Sequence, residues 1–60
     1  MDKPHVFIAE IFCNGEFIEI VEFKSLSIVA LSSKAKLTYG RENSLQSLEG
    51  ISVGEIVCLD

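Results

Sequence analysis

The chain has sixty residues, with nine acids against five lysines and arginines, one histidine, two cysteines and a net charge of −4. That length makes at most one domain, spanning residues 1–60, and it buries only about 60% of the surface its unfolded form exposes. The acidic balance argues against a binder of nucleic-acid backbones, whose affinity depends on Lys and Arg displacing counterions, and two cysteines are too few for a disulfide scaffold.

In chain order, Pro4 and Gly15 bracket the run His5–Cys13, rich in β-branched and aromatic residues and without a helical period, which reads as a strand. Asn14-Gly15 is a strong hairpin signal, because both residues tolerate the positive φ of a type I′ turn. Glu16–Phe23 returns as the second strand. Lys24-Ser25 reads as a tight turn or bulge, and Leu26–Leu31 as a further strand or the continuation of a long bent one. Ser32–Lys34 connects to a short strand, Ala35–Tyr39, which ends at Gly40, and Arg41–Asn43 is loop-like. Ser44–Glu49 reads as one helical turn or a 3₁₀ segment, with Asn43 or Ser44 as cap and Gly50 as terminator. Glu55–Leu59 is the final strand. The pattern predicts a mostly β fold: a small curved sheet or partial barrel of about four to five antiparallel strands with one short helical turn near 44–49, completed by dimerisation.

A two-residue turn pairs Phe12 with Phe17, Ile11 with Ile18, Glu10 with Glu19, Ala9 with Ile20 and Ile8 with Val21. One face of the hairpin then carries Phe7, Ala9, Ile11, Ile18 and Ile20, and the other Val6, Ile8, Phe12, Phe17, Val21 and Phe23. A sheet that is apolar on both faces must be covered on both. The rest of so short a chain covers one of them, so Phe12, Phe17, Val21 and Phe23 are the expected interaction surface. The apolar fraction, 48% of the residues, points the same way, because a small domain has little interior to hold it.

The same register sets Glu10 against Glu19, and like charges facing across a ladder are destabilising. A three-residue turn with a bulge would separate them by a register step. Exposure to solvent, or a lysine from elsewhere, would offset the repulsion. As a third reading, the pair would share a proton or bind a cation.

Catalytic chemistry is absent from the pattern, and no enzyme activity, cofactor or metal is expected. His5 reads as an exposed residue at the start of a strand. Two distant cysteines and one histidine give no zinc spacing. Gly50-Ile-Ser-Val-Gly54 has the two-glycine outline of a nucleophile elbow, but a strand follows it where that motif needs a helix. Tyr39 and Arg41 set a ring beside a guanidinium, a candidate pair for stacking a small nucleotide; the other reading of Tyr39 is packing. There is no basic-then-apolar leader and no uncharged stretch long enough to span a bilayer, so a cytoplasmic protein with reduced thiols and no membrane partner is expected. A Cys13–Cys58 bond would require two strands to bring the pair together.

Charge falls in three blocks: −4 over residues 1–23, +4 over residues 24–41, and −4 over residues 42–60. These are solvated strand faces, or acidic and basic blocks that pair between subunits. Residues 39–60, with the Gly40-Arg41 step, spaced leucines and the Gly54-Glu55 entry to an apolar strand, resemble the first half of a SpoA domain. Ile11–Glu16 is similar to the Asn-Gly hairpin of that module's second half, so the order here is reversed. Ile51–Leu59 is also similar to a strand of the PilZ barrel, without the arginine motif through which that family grips cyclic di-GMP. Neither likeness carries a ligand over to this chain.

The function expected is a non-catalytic interaction module, homo-oligomeric and acting on a protein partner. The alternative is a small acidic inhibitor of the kind mobile elements encode, or a nucleotide-sequestering protein.

Overall fold

The hairpin forms as the Asn14-Gly15 pair dictates. In a computed structural model that describes residues 3–60, β1 (His5–Cys13) and β2 (Glu16–Ser25) are antiparallel. Asn14 and Gly15 take φ of 52° and 83°, as a type I′ turn requires. Helix α1 (Leu31–Glu42) follows, and then β3 (Ile51–Cys58), which lies antiparallel to β1 on its other side. The strand order is β2-β1-β3. The fold is mostly β, but three strands form an open sheet and leave β2 and β3 as edges. The expected four or five strands and partial barrel are replaced by this sheet and one helix.

Two further expectations change. Residues 26–30 are a loop rather than a strand. Ser25 Oγ accepts the Ser27 N–H at 3.2 Å and donates to the Ser27 carbonyl at 2.6 Å, while Ser27 Oγ accepts the Val29 N–H at 3.1 Å. Such local side-chain bonds compete with strand pairing, and they leave Leu26, Ile28 and Val29 exposed. The segment read as a connection and a short strand, Ser32–Tyr39, belongs instead to α1. Leu31, Ala35 and Tyr39 recur every fourth residue and so share one helix face; Ala35 and Tyr39 are buried, and Leu31 packs against them.

The expected helical turn at 44–49 does not form. This stretch is the connection after α1, opened by a Schellman closure: Leu45 N–H donates to Gly40 O at 2.9 Å and Ser44 N–H to Arg41 O at 3.3 Å, with Ser44 left-handed at φ 54°. Gly40, expected to end a strand, is buried inside the helix.

The hairpin register carries the largest correction. Cys13 pairs with Glu16 and Phe12 with Phe17, but Ile11 then pairs with Glu19, leaving Ile18 as a bulge. Glu10 therefore faces Ile20, and the two carboxylates do not meet. The turn keeps two residues, and the additional one sits within the strand. Beyond the bulge, β2 presents the opposite face from the one a two-residue register implies. Val21 and Phe23 lie opposite Ala9 and Phe7, and they are core residues at 2% and 6% exposure.

α1 covers this face. Phe7, Ala9, Ile11, Val21, Phe23, Ala35, Tyr39 and Ile51 form one buried cluster, with the Phe7 and Phe23 rings stacked at 5.5 Å. Ala9 and Ala35 are both small, which lets helix and sheet approach closely. Among the described residues, no helix is long and apolar enough to cross a membrane.

Candidate functional site: the open face of the sheet

Strand alternation sends Val6, Ile8, Glu10 and Phe12 of β1 to the face away from α1, because Phe7, Ala9 and Ile11 are buried beneath it. Their partners on β2, namely Lys24, Glu22, Ile20 and Phe17, share that face. On β3, Ser52 and Val57 do so as partners of Phe12 and Ile8. No element of the described chain covers these residues. Phe17, Ile20 and Val57 are 50%, 54% and 40% exposed, and the Phe12 and Phe17 rings meet edge to face at 5.8 Å.

The middle of the face is shaped by a second irregularity. Ala9 pairs with Ile56 and Ile11 with Val53, so Gly54 and Glu55 together oppose Glu10. A bulge leaves a backbone group without a ladder partner, and here the Glu10 carboxylate accepts the Glu55 N–H at 2.9 Å. Gly54 permits the arrangement: a Cβ there would lie 2.6 Å from Glu10 Oε1 and 2.6 Å from Phe12 Cε1. Beside it, Ile8, Glu10, Ile20, Glu55 and Val57 border a hollow of about 140 Å³. That is small against the ~300–1,000 Å³ of ordinary ligand pockets; it suits a side chain better than a nucleotide.

The residues expected to form one interaction surface are thus divided. Phe12 and Phe17 lie on the open face, whereas Val21 and Phe23 are interior. Tyr39 and Arg41 are not brought together either. The Tyr39 ring belongs to the core cluster, while Arg41 is exposed beside Leu37, Ser44 and Leu45. The ring is not available to stack on a base. Cys13 pairs with Ile51 and Cys58 with Phe7, which places the thiols about 20 Å apart along the ladder, too far for a bond. Both are free.

Sequence reasoning missed one cluster. His5 opens β1 and Cys58 ends β3, and the pairing of the two strands brings both to Asp60. His5 Nδ1 lies 3.5 Å from Asp60 Oδ1, and the Cys58 thiol donates to the same oxygen at 3.3 Å. The Cys58 hydrogen bond, helped by the Val6 N–H and the His5 ring, holds the exposed Asp60 carboxyl below its ordinary range, against desolvation, which pushes it the other way. Cys58 and Asp60 are neighbours along the chain, but linear spacing carries no signal that His5 joins them, since it does so only through the β1–β3 ladder.

Compared with protein-family models, curated proteins and solved structures, the chain matches none, and the likenesses to SpoA and PilZ segments gain no support beyond their own residues.

Proposed function

We propose that this chain is a non-catalytic protein-interaction module that self-associates through the open face of its sheet. The observation that carries the reading is the apolar strip Ile8, Phe12, Phe17, Ile20 and Val57, which lies opposite the helix-covered face with none of the described residues over it. A second copy is the occupant that matches it in size and shape, because two sheets of equal width pack face to face with their strands near alignment. Three strands about 4.8 Å apart, each about eight residues at ~3.3 Å rise, present roughly 400 Å² of projected face. Two such faces bury on the order of 800 Å² in total, below the ~1,200–2,000 Å² of stable interfaces and in the range of weak, transient ones, which makes the dimer reversible.

Sedimentation velocity across a concentration series tests the reading. A monomer–dimer equilibrium is expected, with Phe17→Asp and Ile20→Asp shifting it to monomer while the far-ultraviolet circular dichroism stays native. A chain that remains monomeric at millimolar concentration, or Asp variants that associate as the parent does, would overturn it.

Glu10, Glu22 and Glu55 border the same strip, and they favour a second reading. In it the face covers a basic, apolar surface on a different protein, as a small acidic inhibitor does. The two readings respond to salt with opposite sign. Screening relieves carboxylate repulsion in a dimer and weakens attraction to a cationic partner.

A further inference from the structure

We propose that His5, Cys58 and Asp60 form a zinc-type metal site at the end of the β1–β3 ladder, with the fourth coordination position open to solvent. Their ligand atoms, one from each side chain, all lie within 4.8 Å of one another. In a tetrahedral site with bonds of about 2.0–2.3 Å, neighbouring ligand atoms are roughly 3.3–3.8 Å apart. Two of the three separations already have that length: Asp60 Oδ1 is 3.5 Å from His5 Nδ1 and 3.3 Å from Cys58 Sγ. Only the histidine and the thiol need to close, and all three side chains are exposed, so small rotations suffice.

The backbone beneath the cluster is held in place. Phe7 pairs with Cys58, Leu59 N–H donates to Val6 O at 2.8 Å, and Val6 N–H donates to Asp60 Oδ1 at 3.3 Å. The last of these is the kind of outer contact that orients a carboxylate ligand. The His5 ring stands edge-on to Phe7 with centroids 6.4 Å apart, which restricts the ring on its other side.

The donor set decides the metal class. One imidazole, one thiolate and one carboxylate suit zinc and its neighbours among the late first-row metals, and a thiolate disfavours magnesium or calcium. On binding, the Cys58 thiol releases its proton to solvent and the sulfur takes the metal in its place. Because His5 opens β1 and Cys58 and Asp60 lie at the end of β3, the metal would clasp the start of one strand to the end of the other. The site lies apart from the open-face strip and does not depend on the dimer.

The test is a titration of the full, reduced chain with Co²⁺, followed by competition with Zn²⁺. Expected is a thiolate-to-cobalt charge-transfer band that saturates at one metal per chain and disappears as zinc displaces cobalt. Cys58→Ser should abolish the band and Cys13→Ser should leave it. His5→Ala and Asp60→Ala should each weaken binding at least roughly tenfold. Circular dichroism checks that each variant folds, and a zinc-induced rise in the melting temperature of the parent gives a readout that needs no variant. No band with the parent chain, a band that survives Cys58→Ser or vanishes with Cys13→Ser, or saturation at one metal per two chains would each overturn the site as proposed.

Discussion

The Glu10 carboxylate accepts the backbone N–H of Glu55 at 2.9 Å, at the point where β3 places two residues, Gly54 and Glu55, against one on β1. A side chain on the central strand thereby satisfies the backbone group that the bulge leaves over. Removing it should cost stability: Glu10→Ala is expected to lose about 1–2 kcal/mol, while Glu10→Gln keeps an acceptor and loses less. Native-state hydrogen exchange should show the Glu55 amide losing protection in the alanine variant.

Gly54→Ala should act through the same contact. Its Cβ would meet Glu10 Oε1 and Phe12 Cε1, each at 2.6 Å, so the carboxylate must swing away and the ring must turn, at about 1–3 kcal/mol. Chemical denaturation of the single and double variants gives the coupling. Gly54→Ala should cost less in the Glu10→Ala background than in the parent, because one of its two clashes is gone. Full additivity would show that the glycine is not there to admit Glu10.

Both ends of α1 hold an L-residue in the left-handed region, Ala30 at φ 57° and Ser44 at φ 54°. Ala30 precedes the helix with no side-chain cap, and Ser44 occupies the position where a Schellman closure favours glycine. The left-handed conformation costs an L-residue roughly 1–2 kcal/mol. Ala30→Gly and Ser44→Gly should therefore each stabilise by up to about 1 kcal/mol after the added chain entropy of glycine. In a domain of this size that is a rise of about 4–8 °C in Tm per kcal/mol.

Phe17 and Phe23 are both phenylalanines on β2, and they should behave oppositely. Phe23 is 6% exposed and stacks on Phe7, whereas Phe17 is 50% exposed on the open face. Phe23→Ala should cost about 3–5 kcal/mol, enough to unfold a marginal domain. Phe17→Ala gives up only the edge-to-face pair with Phe12, so it should cost the dilute protein no more than about 1 kcal/mol and weaken self-association.

Self-association through this face should strengthen with ionic strength. Glu10, Glu22 and Glu55 bring like charges toward one another across the interface, and the Debye length falls from about 30 Å at 0.01 M salt to about 10 Å at 0.1 M. Sedimentation at those two concentrations should show the larger dimer fraction at the higher one. The reverse order would point to acidic and basic blocks pairing between copies, Lys24, Lys34 and Lys36 against the carboxylates, in place of apolar packing.

Much of this architecture was legible locally. Asn14-Gly15 specified the turn because only residues tolerant of positive φ fit it, and the dense β-branched and aromatic runs on either side specified the two strands. The clash of Glu10 with Glu19 in the simplest register was itself a signal that the register shifts. Leu31, Ala35 and Tyr39 recur every fourth residue and could have revealed the helix. The alternation of Ala35, Leu37 and Tyr39 also fits a strand, and a run that short satisfies both periods.

The sequence by itself determined the hairpin, the β character and an apolar surplus larger than so small a core can hold. Tertiary structure decided the rest. One inserted residue, Ile18, exchanged the faces of β2, sending Val21 and Phe23 inward and leaving Phe12 and Phe17 outside. Side chains alternate with a period of two, so a single-residue shift reverses every assignment beyond it, and nothing local states where the shift falls. The meeting of His5 with Cys58 and Asp60 likewise exists only once β3 pairs with β1, because residues more than fifty positions apart become neighbours through a ladder and not through spacing.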